Sequence, residues 1–134
     1  VAAENAKPKQ VDVMQESQDK FREAMIQNDG NGMTYWNDCF HSVMGEMADN
    51  LYLKPSYERL LIDHARISQT FYSARLENFS GVLEEAAGHH DSMLGCIREG
   101  NPGGMVALIK EHWALSHEQM EMFVRPDPLP IEEI

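Results

Sequence analysis

The stretch HDSMLGCIREGNPGGMVALIKEHWALS, residues 90–116, contains two helical patterns separated by a stop signal. Its first half has residues at the three- and four-residue steps of one helix face, namely His90, Met93, Leu94 and Ile97. The same spacing returns in the second half, at Met105, Leu108, Ile109, His112 and Leu115. The stretch therefore predicts two consecutive helices, each with a histidine on its apolar face.

The break between these helices carries recognisable end and start residues. Gly100 is typical of a helix end, and Asn101 is typical of the capping position that precedes a new helix. Pro102 suits the first helical position, where no N–H hydrogen bond is needed. Helical periodicity also dominates the rest of the chain, and no segment alternates with period two over the length of a strand. The fold class is therefore predicted to be all-α.

We predict five main helices, at about residues 11–27, 33–49, 57–76, 80–100 and 102–123. Residues 1–10 are predicted to be the end of a truncated first helix or a linker, which gives a bundle of five to six helices. Residues 124–134 contain three prolines, which cannot continue a helix, so we predict an extended tail. Residues 11–123 are thus the expected domain.

Length and composition narrow the class of protein. A chain of 134 residues fits one domain, and 11 basic against 22 acidic residues give a formal charge of -11. Such a charge argues against direct binding of nucleic acid by these residues. The two cysteines form no C-x-x-C motif and fit a reducing cytoplasm. No apolar run approaches the roughly 18 residues of a membrane span, so no membrane association is expected.

A third histidine lies on an apolar stripe in NDCFHSVMGEMADN, residues 37–50, where His41 accompanies Phe40, Met44 and Met47. One buried imidazole needs only a single protein partner, but three on inward faces need something that satisfies all of them. A metal ion does so, and imidazole suits zinc, nickel and other first-row divalent ions. The open alternative is three separate core histidines, each with its own partner.

Other polar residues near these stripes are candidates for the same site. Asn37 and Asp38 precede His41 by four and three residues, so either side chain offers a fourth, oxygen ligand. His64 lies on the apolar face of the third predicted helix and is a candidate pocket residue. His89 and His117 fall off the stripes, and we expect both at the surface.

Two arginines of the third predicted helix are candidate effector ligands. Arg66 and Arg75 could form a fork for a carboxylate, which is the geometry that guanidinium offers. The alternative is a solvated helix face, with these arginines paired to nearby acids such as Asp63 or Glu77.

Two other classes of function remain open from the residues. A zinc ion on three histidines activates water in some enzymes, but catalysis also wants a general base beside the open position. The chain has no G-x-S-x-G, no H-E-x-x-H and no P-loop, so we predict that it is not an enzyme. The second alternative is a helical dimerisation module without a ligand.

Two motifs together resemble a known family. FHSVMGEMADN, residues 40–50, is similar to an F-H-x-x-[LVM] pattern followed by A-x-N in the FCD ligand-binding domain of GntR-superfamily bacterial transcription regulators. Residues 90–116 resemble the same family's H-x-x-[IL]-x-x-A-[IL]-x-x-G-[DN] run and its later histidine before a serine. The resemblance covers about residues 11–123.

The resemblance implies an antiparallel all-α bundle that forms a homodimer, holds a metal between its helices and binds a small organic acid beside it. The ligands of metal-binding members are an aspartate and three histidines, which fall here on Asn37, His41, His90 and His112. Asn37 departs from the pattern because its amide oxygen is neutral where the family has a carboxylate, and Asp38 is a possible substitute.

The resemblance also implies a regulatory role for a longer protein. These regulators carry an N-terminal winged helix-turn-helix that reads DNA, and no segment of this chain corresponds to it. We therefore expect the chain to be a fragment, a cytoplasmic effector-sensing domain that controls DNA binding through a domain absent from the sequence.

Overall fold

The chain folds into helices throughout the part that can be described. The computed structural model describes the backbone of residues 1–73 and 80–124, and the side chains of residues 1–72 and 80–117. Within these residues there is no strand, which confirms the all-α class. The helices are α1 (Ala2–Asn5), α2 (Pro8–Gln27), α3 (Gly30–Ala48), α4 (Lys54–Ser73), α5 (Ser80–Arg98) and α6 (Pro102–Val124).

The turn between α5 and α6 forms as the sequence predicts. Gly100 has a left-handed φ of 62°, which glycine adopts without steric cost. The N–H of Asn101 donates to the carbonyl of Cys96 at 2.8 Å, and that of Gly100 donates to Ile97 at 3.1 Å. These two bonds are the Schellman ending of a helix. The Asn101 side chain then accepts from Gly104 N–H at 2.9 Å and caps α6.

Three helices begin earlier than predicted. α2 begins at Pro8 rather than Val11, α3 at Gly30 rather than Met33, and α4 at Lys54 rather than Tyr57. For α3 the reason is the Asp29 side chain, which accepts from Gly32 N–H at 3.0 Å and turns part of the expected loop into a capped first turn. The predicted end of the third helix at residue 76 lies outside the described residues. So does the predicted extended tail after Val124, which is the last residue of α6.

The main core cluster contains buried residues of α2, α3, α5 and α6. α3 lies between α2 and α4, α2 also contacts α5, and α5 pairs with α6. The short α1 contacts α3, α5 and α6, so residues 1–10 are a short helix and the start of α2. The core is rich in methionine, a flexible side chain that fills irregular gaps, as at Met14, Met33, Met44, Met47, Met93 and Met105.

A close approach between α3 and α4 depends on one glycine. The Tyr57 ring lies against Gly45 so closely that a Cβ at position 45 would overlap it. The Tyr57 hydroxyl donates to the backbone carbonyl of His41 at 2.7 Å. Gly45 therefore allows α4 to pack beside the turn of α3 that carries His41.

Replacing Gly45 with alanine is expected to destabilise the fold by about 1–3 kcal/mol, because the overlap must displace the Tyr57 ring. Chemical denaturation of both proteins measures the difference. Gly95→Ala is the matched control in α5, since no described heavy atom lies within 4 Å of its Cβ. That variant is expected to be stabilised by up to about 1 kcal/mol, and equal losses in both variants would contradict the steric account.

Candidate metal centre

Three histidines from three helices meet in the bundle. His41 of α3, His90 of α5 and His112 of α6 place one potential ligand atom each within 4.8 Å of the others. Their ring centroids lie 5.2 Å (His41–His90), 5.6 Å (His41–His112) and 4.9 Å (His90–His112) apart. His90 and His112 are buried and His41 is half-buried. The structure thus brings together the three histidines that the helix faces indicate.

The nitrogens of this cluster lack protein partners. His41 Nε2, His90 Nε2 and His112 Nδ1 are each buried without a hydrogen bond to any described residue. An unsatisfied buried polar atom costs roughly 1–3 kcal/mol, so three close together are unfavourable in a bare protein. A divalent ion bound by all three nitrogens would remove that cost. Imidazole nitrogens are suitable ligands for zinc or a similar ion. The alternative, in which each of these nitrogens has its own protein partner, is not what the described residues show.

The orientation of His90 is fixed by Gln18 of α2. The Gln18 Nε2 atom donates to the Ala87 carbonyl and to Asp91 Oδ1, both at 2.9 Å. Its Oε1 therefore faces His90 Nδ1 at 3.0 Å and accepts a hydrogen bond from that nitrogen. The His90 Nε2 lone pair is left for the cluster, which is how metal-ligating histidines are usually held.

Two aromatic rings complete the support of His90. Phe40 stacks on the imidazole with centroids 4.2 Å apart and planes 18° apart, and Phe21 lies 5.6 Å away. All three side chains are fully buried. The imidazole therefore has little freedom to turn away from the other two histidines.

Burial keeps the cluster neutral, which is the state that a metal requires. The pKa of His41 and that of His90 lie well below the usual value because burial disfavours the charged ring, and neighbouring histidines lower both further. Burial, followed by His89 and His64, lowers the pKa of His112 to about 4. At neutral pH all three imidazoles present free lone pairs.

The metal-free protein is expected to lose stability as the pH falls from about 7 to 4. A histidine whose pKa is lowered in the folded state stays neutral as the pH falls, whereas the same histidine in the unfolded chain takes up a proton. The folded state therefore has its full stability above pH 6.5 and loses stability as the pH falls from 6.5 towards 4. For His112 alone, a fall from 6.5 to about 4 corresponds to roughly 3 kcal/mol. Denaturation at several pH values in chelator measures this. A His112→Phe variant should show a shallower pH dependence, and an unchanged slope would contradict the assignment.

The two candidate oxygen ligands face different neighbours. Asn37 is only 2% exposed, its Nδ2 has no partner among the described residues, and it lines a cavity together with His64 and His112. Asp38 is half-buried, and its carboxylate acts on the pKa of His64 and on that of Tyr57, both on α4. Asp38 is not a member of the histidine cluster. Asn37 as the fourth ligand, with Asp38 as its substitute, therefore stays a prediction.

Two further histidines border the cluster. The His64 ring lies 5.5 Å from His41, and the His89 ring lies 5.7 Å from His112. Each has a buried Nδ1 without a partner among the described residues. The half-buried position of His89 differs from the expected surface position, because α6 packs against α5 on that side. His117 is exposed, as predicted.

Two small cavities adjoin the cluster. One, of about 50 Å³, lies beside Asn37, His64, Ser68 and His112. The other, of about 80 Å³, lies beside His41, Tyr57, His64 and His112. No arginine or lysine is among the described residues that line them. Arg66 is exposed and Arg75 lies outside the described residues, so the role of both in binding a carboxylate stays a prediction.

Sequence reasoning missed Gln18, which follows Met14 by four residues and precedes Phe21 by three on the buried face of α2. A glutamine inside an apolar stripe was the available signal, since a buried amide needs partners. Its partner His90 is 72 residues away, and helix periodicity does not reveal which distant residue that partner is.

These features define an all-α domain with a three-histidine centre that could hold a metal ion. The chain belongs to the FCD domain family, whose model matches residues 1–115. FCD domains are the effector-binding domains of GntR-type regulators, which are regulatory proteins rather than enzymes. The resemblance seen in the sequence is thereby confirmed, although the match begins before residue 11.

No curated protein and no solved structure matches the chain. Among the described residues, no helix combines the length and the apolar character needed to cross a bilayer.

Proposed function

We propose that this chain is the effector-sensing and dimerising domain of a GntR-family transcriptional regulator. His41, His90 and His112 would hold a divalent metal, zinc or another first-row ion such as nickel, with Asn37 as the fourth ligand. A small organic acid would bind beside it, and the regulator would reach DNA through an N-terminal domain that is not in this sequence. Two observations carry the proposal. The three histidines place one possible ligand atom each within 4.8 Å of the others, and each has a buried nitrogen without a partner among the described residues.

The chain's own residues would divide the work of binding. The imidazoles hold the ion, Gln18 and Phe40 hold His90 in place, and Asn37 offers an amide oxygen after a turn of its amide group. When bound, the ion supplies a positive charge and an open coordination position for a carboxylate oxygen. His64 and Ser68 are among the polar residues that line the adjoining cavity, and they would meet the acid there.

Regulation would follow from a preference of the acid for one arrangement of the homodimer. A ligand shifts a conformational equilibrium only when it binds one state more tightly than the other. α4 carries His64 and packs on α3, so an acid in contact with both helices could favour one relative position of them. Such a change would then be passed to the attached DNA-binding domain.

The test is a calorimetric screen of small mono- and dicarboxylic acids against the zinc-loaded chain and against the chain in chelator. We expect at least one acid to bind the loaded chain and to bind the metal-free chain much more weakly. Equal affinity in both states would contradict a role for the metal, and no binding by any acid would contradict the assignment of effector class.

Replacing Gln18 with leucine is expected to reduce zinc affinity by roughly 10- to 100-fold, because His90 would lose the group that fixes its orientation. Competition with a chromophoric chelator measures the affinity. Gln15→Leu is the matched control, since Gln15 is on the same helix but bonds Asp19 and Arg98 at the surface. An equal loss in both variants would show that Gln18 acts on general stability instead.

A further inference from the structure

Two adjoining cavities lie at the end of the bundle where α2 begins, α3 ends and α4 begins. One is about 170 Å³ in volume, and its mainly apolar lining includes Ala2, Met44, Ala48, Leu53 and Tyr57. The other is about 250 Å³ in volume and is lined mainly by residues with polar side chains. Both are lined by Gly45, Asn50 and Lys54, so one ligand can occupy parts of the two cavities.

These cavities are separate from the candidate metal centre. Among the described residues that line them, Tyr57 alone also lines a cavity beside the three clustered histidines. None of those three histidines lines either cavity at the helix ends. A ligand bound here would not touch the histidines, so its binding does not depend on the proposed metal.

The polar cavity has charged side chains of both signs, namely Lys7, Lys54, Glu46 and Asp49. No ion pair joins Lys7, Glu46 or Asp49 to another described residue. Lys54 Nζ lies 3.8 Å from Glu58 Oε1, and both side chains are more than half exposed, so this pair contributes little to stability. The four charges are therefore available to a ligand.

The uncharged amides of the same lining are already used by the backbone. Asn50 Oδ1 accepts from Tyr52 N–H at 3.0 Å and from Leu53 N–H at 3.1 Å, just before α4. Gln10 Oε1 accepts from Lys7 N–H at 3.0 Å at the start of α2. The helix ends add partial charges, which are positive where α2 and α4 begin and negative where α3 ends. A ligand therefore meets positive and negative groups side by side.

We propose that these two cavities together bind an α-amino acid with an aliphatic side chain. The carboxylate would meet Lys7 and Lys54, the ammonium group would meet Glu46 and Asp49, and the side chain would enter the apolar cavity beside Tyr57. A ligand with one charge alone would lie beside two groups of its own sign, which is unfavourable. An apolar cavity of about 150 Å³ can hold a molecule as large as benzene, so the apolar cavity has room for a leucine side chain.

The experiment is an NMR titration of the isotope-labelled chain with L-leucine, in chelator so that no metal ion contributes. Saturable shifts are expected in the amide signals of Gly45, Asp49 and Asn50. Glycine lacks the apolar group and is expected to bind roughly 10-fold more weakly or worse. 4-Methylpentanoate lacks the ammonium group and 3-methylbutylamine lacks the carboxylate, so each is expected to bind roughly 3- to 10-fold more weakly.

Two variants assign the charged groups. Lys54→Met is expected to weaken L-leucine by roughly 3- to 10-fold and to leave 3-methylbutylamine unchanged, because that amine has no carboxylate to lose a partner. Glu46→Gln is expected to weaken L-leucine similarly and to leave 4-methylpentanoate unchanged. Lys9→Met is the matched control, since Lys9 is an exposed residue of α2 that lines neither cavity. Circular dichroism checks that each variant has native helix content.

Three results would overturn the inference. The first is an absence of saturable shifts with L-leucine at millimolar concentration, and the second is a set of shifts confined to residues around His90 and His112. The third is equal binding of L-leucine and its three analogues. Since the titration contains no metal, each of these results leaves the proposed metal centre untouched.

Discussion

Replacing both His90 and His112 with alanine is expected to lower zinc affinity by more than about 100-fold. Loss of an outer-shell partner alone typically costs 10- to 100-fold, and this variant removes two of the three imidazoles themselves. The ion would keep only His41 and the neutral amide of Asn37, which is too few donors for a tetrahedral site. Isothermal titration calorimetry of zinc into the metal-free chain provides the measurement.

Two controls keep this result interpretable. His117→Ala removes an exposed histidine outside the cluster and is expected to bind zinc like the natural sequence. His112→Phe keeps a ring of similar volume in α6, so a loss of zinc binding there cannot be attributed to a cavity in the core. Circular dichroism must show native helix content in each variant. Retention of tight zinc binding by the folded double variant would contradict the assignment of His90 and His112 as zinc ligands.

Zinc is expected to stabilise the folded chain by about 2.7 kcal/mol when its free concentration is 100 times the dissociation constant. This gain in stability arises because the three histidines come together only in the folded state. In the unfolded chain they are separated by many residues and form no common site. It should shrink as the pH falls, since protons compete with the ion for the same lone pairs. Denaturant unfolding with zinc and with chelator at several pH values tests both statements.

The double variant serves again as the control for stabilisation. If zinc acts through the cluster, the unfolding curves of His90→Ala/His112→Ala with and without the ion should coincide. An equal zinc-dependent gain in that variant would indicate binding elsewhere, for example at the acidic surface that accompanies a net charge of -11.

The fold was largely predictable because the spacing of the apolar residues in each helix indicates which face of the helix is buried. His90 and His112 are the clearest examples, since both lie on stripes of the 3.6-residue period and both are buried. The turn at Gly100 was equally readable, because its left-handed backbone and the cap at Asn101 depend on residues within a few positions. Neighbouring residues in the chain determine these features, so they can be predicted from the sequence.

Features that depend on contacts between helices were less predictable. The role of Gln18 depends on an imidazole of another helix, and that of Gly45 depends on the Tyr57 ring of α4. His89 was expected at the surface because it falls off the apolar stripe that carries His90, yet the neighbouring α6 covers it in part. In each case the deciding neighbour lies on another helix, and one helix's periodicity carries no information about it.

The most direct test of the central claim is X-ray absorption spectroscopy of the zinc-loaded chain, together with elemental analysis. We expect one zinc per chain, with the scattering of three imidazole rings and one or two further oxygen ligands. A first shell with fewer than two imidazoles, or zinc without a fixed stoichiometry, would show that His41, His90 and His112 do not hold the ion jointly.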